Sequence, residues 1–188
     1  MKKLLALLIL VIVFSSCSLE GLELSKKGSL FRNDRPDANH TFEKVLNAIQ
    51  NKDVDALKSL FSNESLRLID DFDATAHDLF EYFQGDFISY DDWGGAVAGD
   101  MVREGGKEWY TIQPTYDVKT SKQEYRFAFK EFTVNEFEPD KVGVWSLYVI
   151  KKENDTDPKC AYRGDGKWTP GINFEKVYKR EDPKAQWP

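Results

Sequence analysis

YTIQPTYDVKTSKQEYRFAFKEFTVNEFEPDKVGVWSLYVIK, residues 110–151, is the stretch whose reading decides the fold. It divides into three antiparallel strands, Tyr110–Lys119, Gln123–Val134 and Gly143–Lys151, joined by connections at Thr120-Ser121-Lys122 and Asn135–Val142. The first strand alternates. Tyr110, Ile112, Tyr116 and Val118 share one face, with Thr111, Gln113, Thr115 and Asp117 on the other. The second places Tyr125, Phe127 and Phe129 on one side and Arg126 and Lys130 on the other. Its next apolar pair is Phe132 and Val134, out of phase, which predicts a β-bulge near Lys130–Glu131. The third strand is apolar on both faces and belongs in the middle of a sheet. A sheet this long, bulged and aromatic curls, and something must cover it.

Outward from this core, Asp86–Asp92 reads as a strand ending at Trp93-Gly94-Gly95, and Ala96–Arg103 as a short strand turning at Glu104-Gly105-Gly106. Pro114 cannot donate a ladder hydrogen bond, so its strand is an edge or is bulged there. Upstream the period changes. Phe42, Val45, Leu46 and Ile49 make one helical stripe that stops at Asn51-Lys52-Asp53, and Asp53 is placed to cap a short helix carrying Val54, Leu57, Leu60 and Phe61. A third helical region runs from Leu66 and Ile69 to Ala76, Leu79, Phe80 and Phe83, with Asp73 as a cap within it and Gly85 at its C′ position. Three helices followed by a curled antiparallel sheet is an α+β layout, with the helices across the concave face.

The N-terminus gives an address. Met1-Lys2-Lys3 precedes the eleven apolar residues Leu4–Phe14, too short for a membrane span of about 20 residues, and Ser15-Ser16-Cys17 follows. This is the order of a bacterial lipoprotein signal with Cys17 as lipid acceptor. Phe14 stands where Leu is usual, and an ordinary cleaved signal is the alternative reading. Residues 1–16 are expected to be the signal peptide, 17–36 a polar tether and 37–188 the domain. Diacylglycerol supplies two acyl chains, enough for stable anchoring at the extracytoplasmic face of the cell membrane.

The formal net charge of −6 becomes more negative once Lys2 and Lys3 are removed, and no basic cluster is present, so nucleic acid is not an expected partner. With Cys17 acylated, Cys160 has no partner for a disulfide. Asp70, Asp71, Asp73, His77 and Asp78 gather around the third helical region, but without an EF-hand or HExxH spacing. Acids favoured at a helix start explain them, and no metal or cofactor is expected. Gly164-Asp165-Gly166 and Pro170-Gly171 flank Trp168 in an excursion that seats this ring against the domain.

Several segments carry a resemblance. Phe42–Phe61, with its Ala48-Ile49-Gln50-Asn51-Lys52-Asp53 link, looks like the opening helix pair of the nuclear-transport-factor-2-like superfamily. Tyr116–Thr120, Tyr125–Glu131, Gly143–Ile150 and Trp168–Gly171 resemble a family of uncharacterised Gram-positive lipoproteins, domain of unknown function 5104. The resemblance covers nearly all of the mature domain. It implies a cone-shaped sheet wrapped by three helices, often with a cavity between them, and it implies no activity and no catalytic residues.

Three functions follow as expectations. The first is a tethered, non-catalytic domain binding a small apolar ligand or an envelope partner. Its pocket would be lined by Tyr110, Tyr116, Tyr125, Phe127 and Phe129, with aromatics at 14% of the chain, and by His77. The second is an isomerase-like or hydrolase-like enzyme using a cone cavity. Its base would be His77, because Asp117, Glu124 and Glu131 are placed on the other face or at the bulge. The third is an interaction module, a homodimer included, built on Phe132, Trp145 and Trp168.

Overall fold

A computed structural model describes residues 34–94, 96–156 and 168–174. All belong to the second of two compact units into which the chain divides, Asp34–Pro188. The expected signal peptide, Cys17, most of the tether and Cys160 lie outside the described residues. No described helix is long and apolar enough to cross a membrane.

Helix α1 (Arg35–Asn51) carries Pro36 in its first turn, where the missing N–H costs no helical bond. Ala38, Phe42, Val45, Leu46 and Ile49 form its buried stripe. It ends as Lys52 turns left-handed at φ 53°, with the Lys52 and Asp53 N–H groups donating to Ile49 and Ala48 at 3.2 and 2.9 Å. That is the Schellman pattern. The Asp53 carboxylate accepts from the Ala56 N–H at 2.9 Å and starts α2 (Val54–Lys58). The third helical region is divided. Ser62 caps α3 (Asn63–Arg67), and Asp71 rather than Asp73 caps α4 (Phe72–Tyr82). Two side-chain caps so close together stop one helix and start another, giving four helices among the described residues.

Seven strands among the described residues form one sheet: β1 (Phe87–Asp91), β2 (Met101–Glu104), β3 (Lys107–Ile112), β4 (Thr115–Thr120), β5 (Glu124–Asn135), β6 (Gly143–Lys151) and β7 (Gly171–Phe174). Strand β5 organises it. One edge of β5 pairs with β6. The other edge is shared, with β4 taking Glu124–Ala128 and β3 taking Glu131–Asn135. β1 lies outside β4, β2 outside β3, and β7 outside β6. The strand expected over Tyr110–Lys119 therefore breaks in two at Gln113-Pro114. β7, which the glycine-rich tail did not announce as a strand, runs parallel to β6, while the other described strand pairs are antiparallel.

The irregularity expected at Lys130–Glu131 is present in the β5–β6 pairing, but the extra residue is Trp145 on β6. Lys130 pairs with Ser146 and Glu131 with Val144. The extra residue of β5 itself is Thr133, opposite the step from Tyr110 to Thr111. Alternation on β5 thus continues through Glu131, which faces the helices. Phe132 turns outward between Trp109 and Trp145, at ring distances of 5.9 and 6.1 Å.

The helices cover the opposite face. Phe42 of α1 stacks on Tyr116 of β4, ring centroids 3.8 Å apart, and meets Phe127 edge-on at 5.6 Å. Phe83, just past α4, lies 4.9 Å from Tyr125. The helical layer is also stitched to β6: Val144 N–H donates to the Leu60 carbonyl at 2.9 Å and Ser62 N–H to the Val144 carbonyl at 3.0 Å. Gly143 makes this approach possible, since a Cβ there would stand 3.1 Å from the Leu60 oxygen, at a φ of 118°. Gly85 serves a similar purpose rather than ending α4 as its C′ residue. Phe83 already leaves the helix in extended conformation, and a Cβ on Gly85 would stand 2.8 Å from the Lys122 nitrogen.

Phe42 touches three aromatic rings and is fully buried. Phe42→Ala should cost about 3–5 kcal/mol in urea unfolding, while Phe137→Ala, at an exposed ring, should stay within about 0.5 kcal/mol. Equal losses at the two positions would contradict this account of the core.

Candidate functional site

The break at Gln113-Pro114 leaves a notch between β3 and β4, and the chain from β1 to β2 passes over it. Ala98 bridges to Gln113, whose N–H donates to the Ala98 carbonyl at 2.7 Å. A cavity of about 180 Å³ opens here, walled by Arg35 from α1, by Asp92–Gly94 and Ala96–Ala98 from the crossing segment, and by Gln113, Pro114 and Thr115.

Short-range bonds shape the crossing segment. Asp91 accepts from the Trp93 N–H at 2.8 Å and Asp92 from the Gly94 N–H at 2.9 Å, and Trp93 and Gly94 both turn left-handed. Helix α1 then holds the segment from behind. Arg35 donates to the Gly94 carbonyl at 2.8 Å and stands 3.8 Å from the Asp92 carboxylate. Tyr116 donates to the Asn39 side chain at 2.9 Å, and the Asn39 amide donates to Asp92 at 3.1 Å. The Asn39 amide, the Gly94 N–H and then Arg35 hold the Asp92 carboxyl below its usual range. Burial pushes the Tyr116 hydroxyl above the ordinary tyrosine range, so it remains a protonated donor. Neighbouring Tyr90 is pushed up to about 12, first by burial and then by its bond to Glu43.

Thr115 completes the wall. It is 6% exposed, and its hydroxyl has no hydrogen-bond partner in the protein. A buried hydroxyl left unpaired costs about 1–3 kcal/mol, so its position in a cavity wall demands an explanation.

The rings and the imidazole read as pocket residues lie elsewhere. Tyr116, Tyr125, Phe127 and Phe129 are fully buried in the packed core. Tyr125 donates to the Tyr82 carbonyl at 2.9 Å and accepts from the Gln84 N–H at 2.8 Å. Tyr110 is half-buried and bonds Asp34 at the start of α1. His77 is exposed on α4, edge-on to Phe80. None of the six lines the cavity. Arg35 and Asp92 carried no sequence signal beyond a basic residue in the expected tether and an acid at the end of an expected strand. Thr115 was assigned only to a strand face. In the acidic group, Asp71 caps α4 and Asp73 pairs with Lys58 at 2.8 Å; the described residues hold no group of three or more His, Cys, Asp or Glu arranged for a metal ion.

Glu131 corrects the expectation that the helix-facing side of β5 lacks a carboxylate. Burial under α1 pushes it up to about 7, against a hydrogen bond from Thr41 and with Asp37 nearby raising it further and Lys44 lowering it. One carboxyl oxygen, Oε2, is buried and unpartnered. On the outer face Phe132, Trp145 and Trp168 do come together: the Trp145 indole donates to the Trp168 carbonyl at 2.9 Å, and the Trp168 ring meets Tyr148 at 5.7 Å.

Among the described residues, four helices and a seven-stranded sheet make an α+β domain with a small cavity at a break in the sheet. The family described as "Domain of unknown function (DUF5104)" matches residues 44–152, more than half of the chain, and the chain belongs to it. The matched segment contains most of the cavity wall, with Arg35 preceding it. No curated protein matches the chain.

Because the folded pKa of Glu131 is raised, its protonated form favours folding. Stability is full below about pH 4.5 and is lost as pH rises through about 7. Glu131→Gln should therefore match the wild type at pH 5 and exceed it at pH 8 by roughly 2–3 kcal/mol, read as a pH-dependent difference in urea midpoints. A constant difference across that range would place the carboxylate in water.

Proposed function

We propose that the chain is a membrane-tethered extracytoplasmic lipoprotein, acylated at Cys17, whose domain binds a small polar ligand in the notch cavity without transforming it. The likeness of Phe42–Phe61 and of the strand motifs to nuclear-transport-factor-2-like lipoproteins supports both the tether and a cone-type architecture. The ligand reading rests on one observation: Thr115, a residue of the cavity wall beside Arg35 and Asp92, carries a buried hydroxyl with no protein partner. The cavity has room for about six water molecules, and hence for a ligand of about six non-hydrogen atoms. The aromatic rings first read as a lining are used in packing, and the wall combines Arg35, Asp92, Gln113 and Thr115 with the apolar Trp93, Ala96, Val97, Ala98 and Pro114. Binding without reaction fits Asp92, whose hydrogen bonds favour the ionised form and make it a weak base.

Thr115→Val separates a binding role from a structural one. Removing an unpaired buried hydroxyl should leave stability unchanged or raise it by about 1 kcal/mol, while ligand affinity measured by calorimetry on the detergent-solubilised chain falls about tenfold. A variant that unfolds, or one that binds as well as wild type, overturns the reading. The address is tested separately: a clickable palmitate analogue fed to a bacterial host should label the wild type and leave Cys17→Ser unlabelled.

A further inference from the structure

We propose that the first half of α1 is a latch that opens with rising pH: while the Glu131 carboxyl holds its proton, residues 35–41 lie closed on the sheet, and its ionisation releases them from the sheet and from the crossing segment. The carboxyl sits under the helix between two uncharged ladder neighbours, Ile112 of β3 and Val144 of β6. Above it are Asp37, Thr41 and Lys44, an i, i+4, i+7 face of α1. Asp37 repels the ionised form and Lys44 attracts it. Both are exposed, whereas Oε2 of Glu131 is buried without a hydrogen-bond partner. A carboxylate placed there lacks the donors that water would give it, so ionisation favours an arrangement that lets water in. The helix is built to yield at this end. Its large apolar anchors, Phe42, Val45, Leu46 and Ile49, all lie beyond Thr41. Before Phe42 the buried apolar contact is Ala38, and the other ties are polar: Tyr110 to Asp34, Arg35 to Gly94, and Asn39 to Tyr116 and Asp92. Releasing this half frees the crossing segment at Gly94 and Asp92 and leaves the core packing in place. The Asp92 carboxyl is held low and the Tyr116 and Tyr90 hydroxyls are held high, so these groups keep their charge state through neutral pH.

With the carboxyl pushed up to about 7 in the closed state, against an ordinary 4.5 once it meets water, the ratio of open to closed helix rises about tenfold between pH 6 and pH 8. Hydrogen exchange on the detergent-solubilised full chain, corrected for the intrinsic pH dependence of amide exchange, should show that rise at the amides of Asn39–Phe42. The amides of Ala76–Tyr82 in α4, away from Glu131, should stay within about twofold. Glu131→Gln should abolish the rise. Asp37→Asn should move it to lower pH and Lys44→Gln to higher pH, shifts that a purely structural role would not produce. His40→Gln, at the exposed imidazole of the same helix, should leave the profile unchanged. A rise of equal size in α4 would mean that the whole domain loosens, and it overturns the latch. So does a rise that survives in Glu131→Gln, one that disappears in His40→Gln, or none in the wild type.

Discussion

Pro114 has no N–H to give, and the sheet is arranged around that deficit. A single partner for the whole free edge of β5 would have to run uninterrupted through position 114, which a proline in mid-ladder does not allow. The edge is shared instead. The last β4 pair is Thr115 with Ala128, and the first β3 pair is Ile112 with Glu131. Between them Phe129 N–H reaches the Pro114 carbonyl at 3.4 Å, a long bond at the corner. The notch, the crossing segment and the cavity all follow from this change of partner.

Helix α1 turns the notch into a defined site. Phe42 on its buried stripe is locked against Tyr116, and Asn39, less than one turn earlier, is thereby brought to both the Tyr116 hydroxyl and Asp92. Arg35, one turn before Asn39, falls beside Gly94 and Asp92. Spacing of 35, 39 and 42 along one helix face is the i, i+4, i+7 pattern, so the packing that stabilises the core also places the charged group at the wall. Core packing and site geometry share the same residues.

What could be read from the sequence was local. The stripe at Phe42, Val45, Leu46 and Ile49, the cap at Asp53 and the boundaries of β6 depend on short-range periodicity and capping, and they match the structure. Glu131 was misplaced because hydrophobicity was used to set the phase of β5. The apolar Phe132 drew the inward face toward itself, whereas backbone pairing kept alternation going and turned the acid inward. β7 escaped because Gly171 and Asn173 are poor strand formers, and its pairing with β6 is a long-range contact. The cavity wall joins Arg35, Asp92 and Thr115 from three separate segments, and no spacing rule connects them.

The position of the cavity is the physical counterpart of a full core. Large rings on the covered face of the sheet gain most by packing against α1 and α4, and Tyr116, Tyr125, Phe127 and Phe129 do so with their hydroxyls, where present, bonded. A cavity then arises where backbone pairing fails rather than where side chains are largest. At such a break polar groups are exposed to the cavity by the backbone's own geometry, and Thr115 is the residue at which β4 resumes its ladder. A small, charged-walled site at a proline-induced break is therefore what a domain with this sheet can supply without opening its interior.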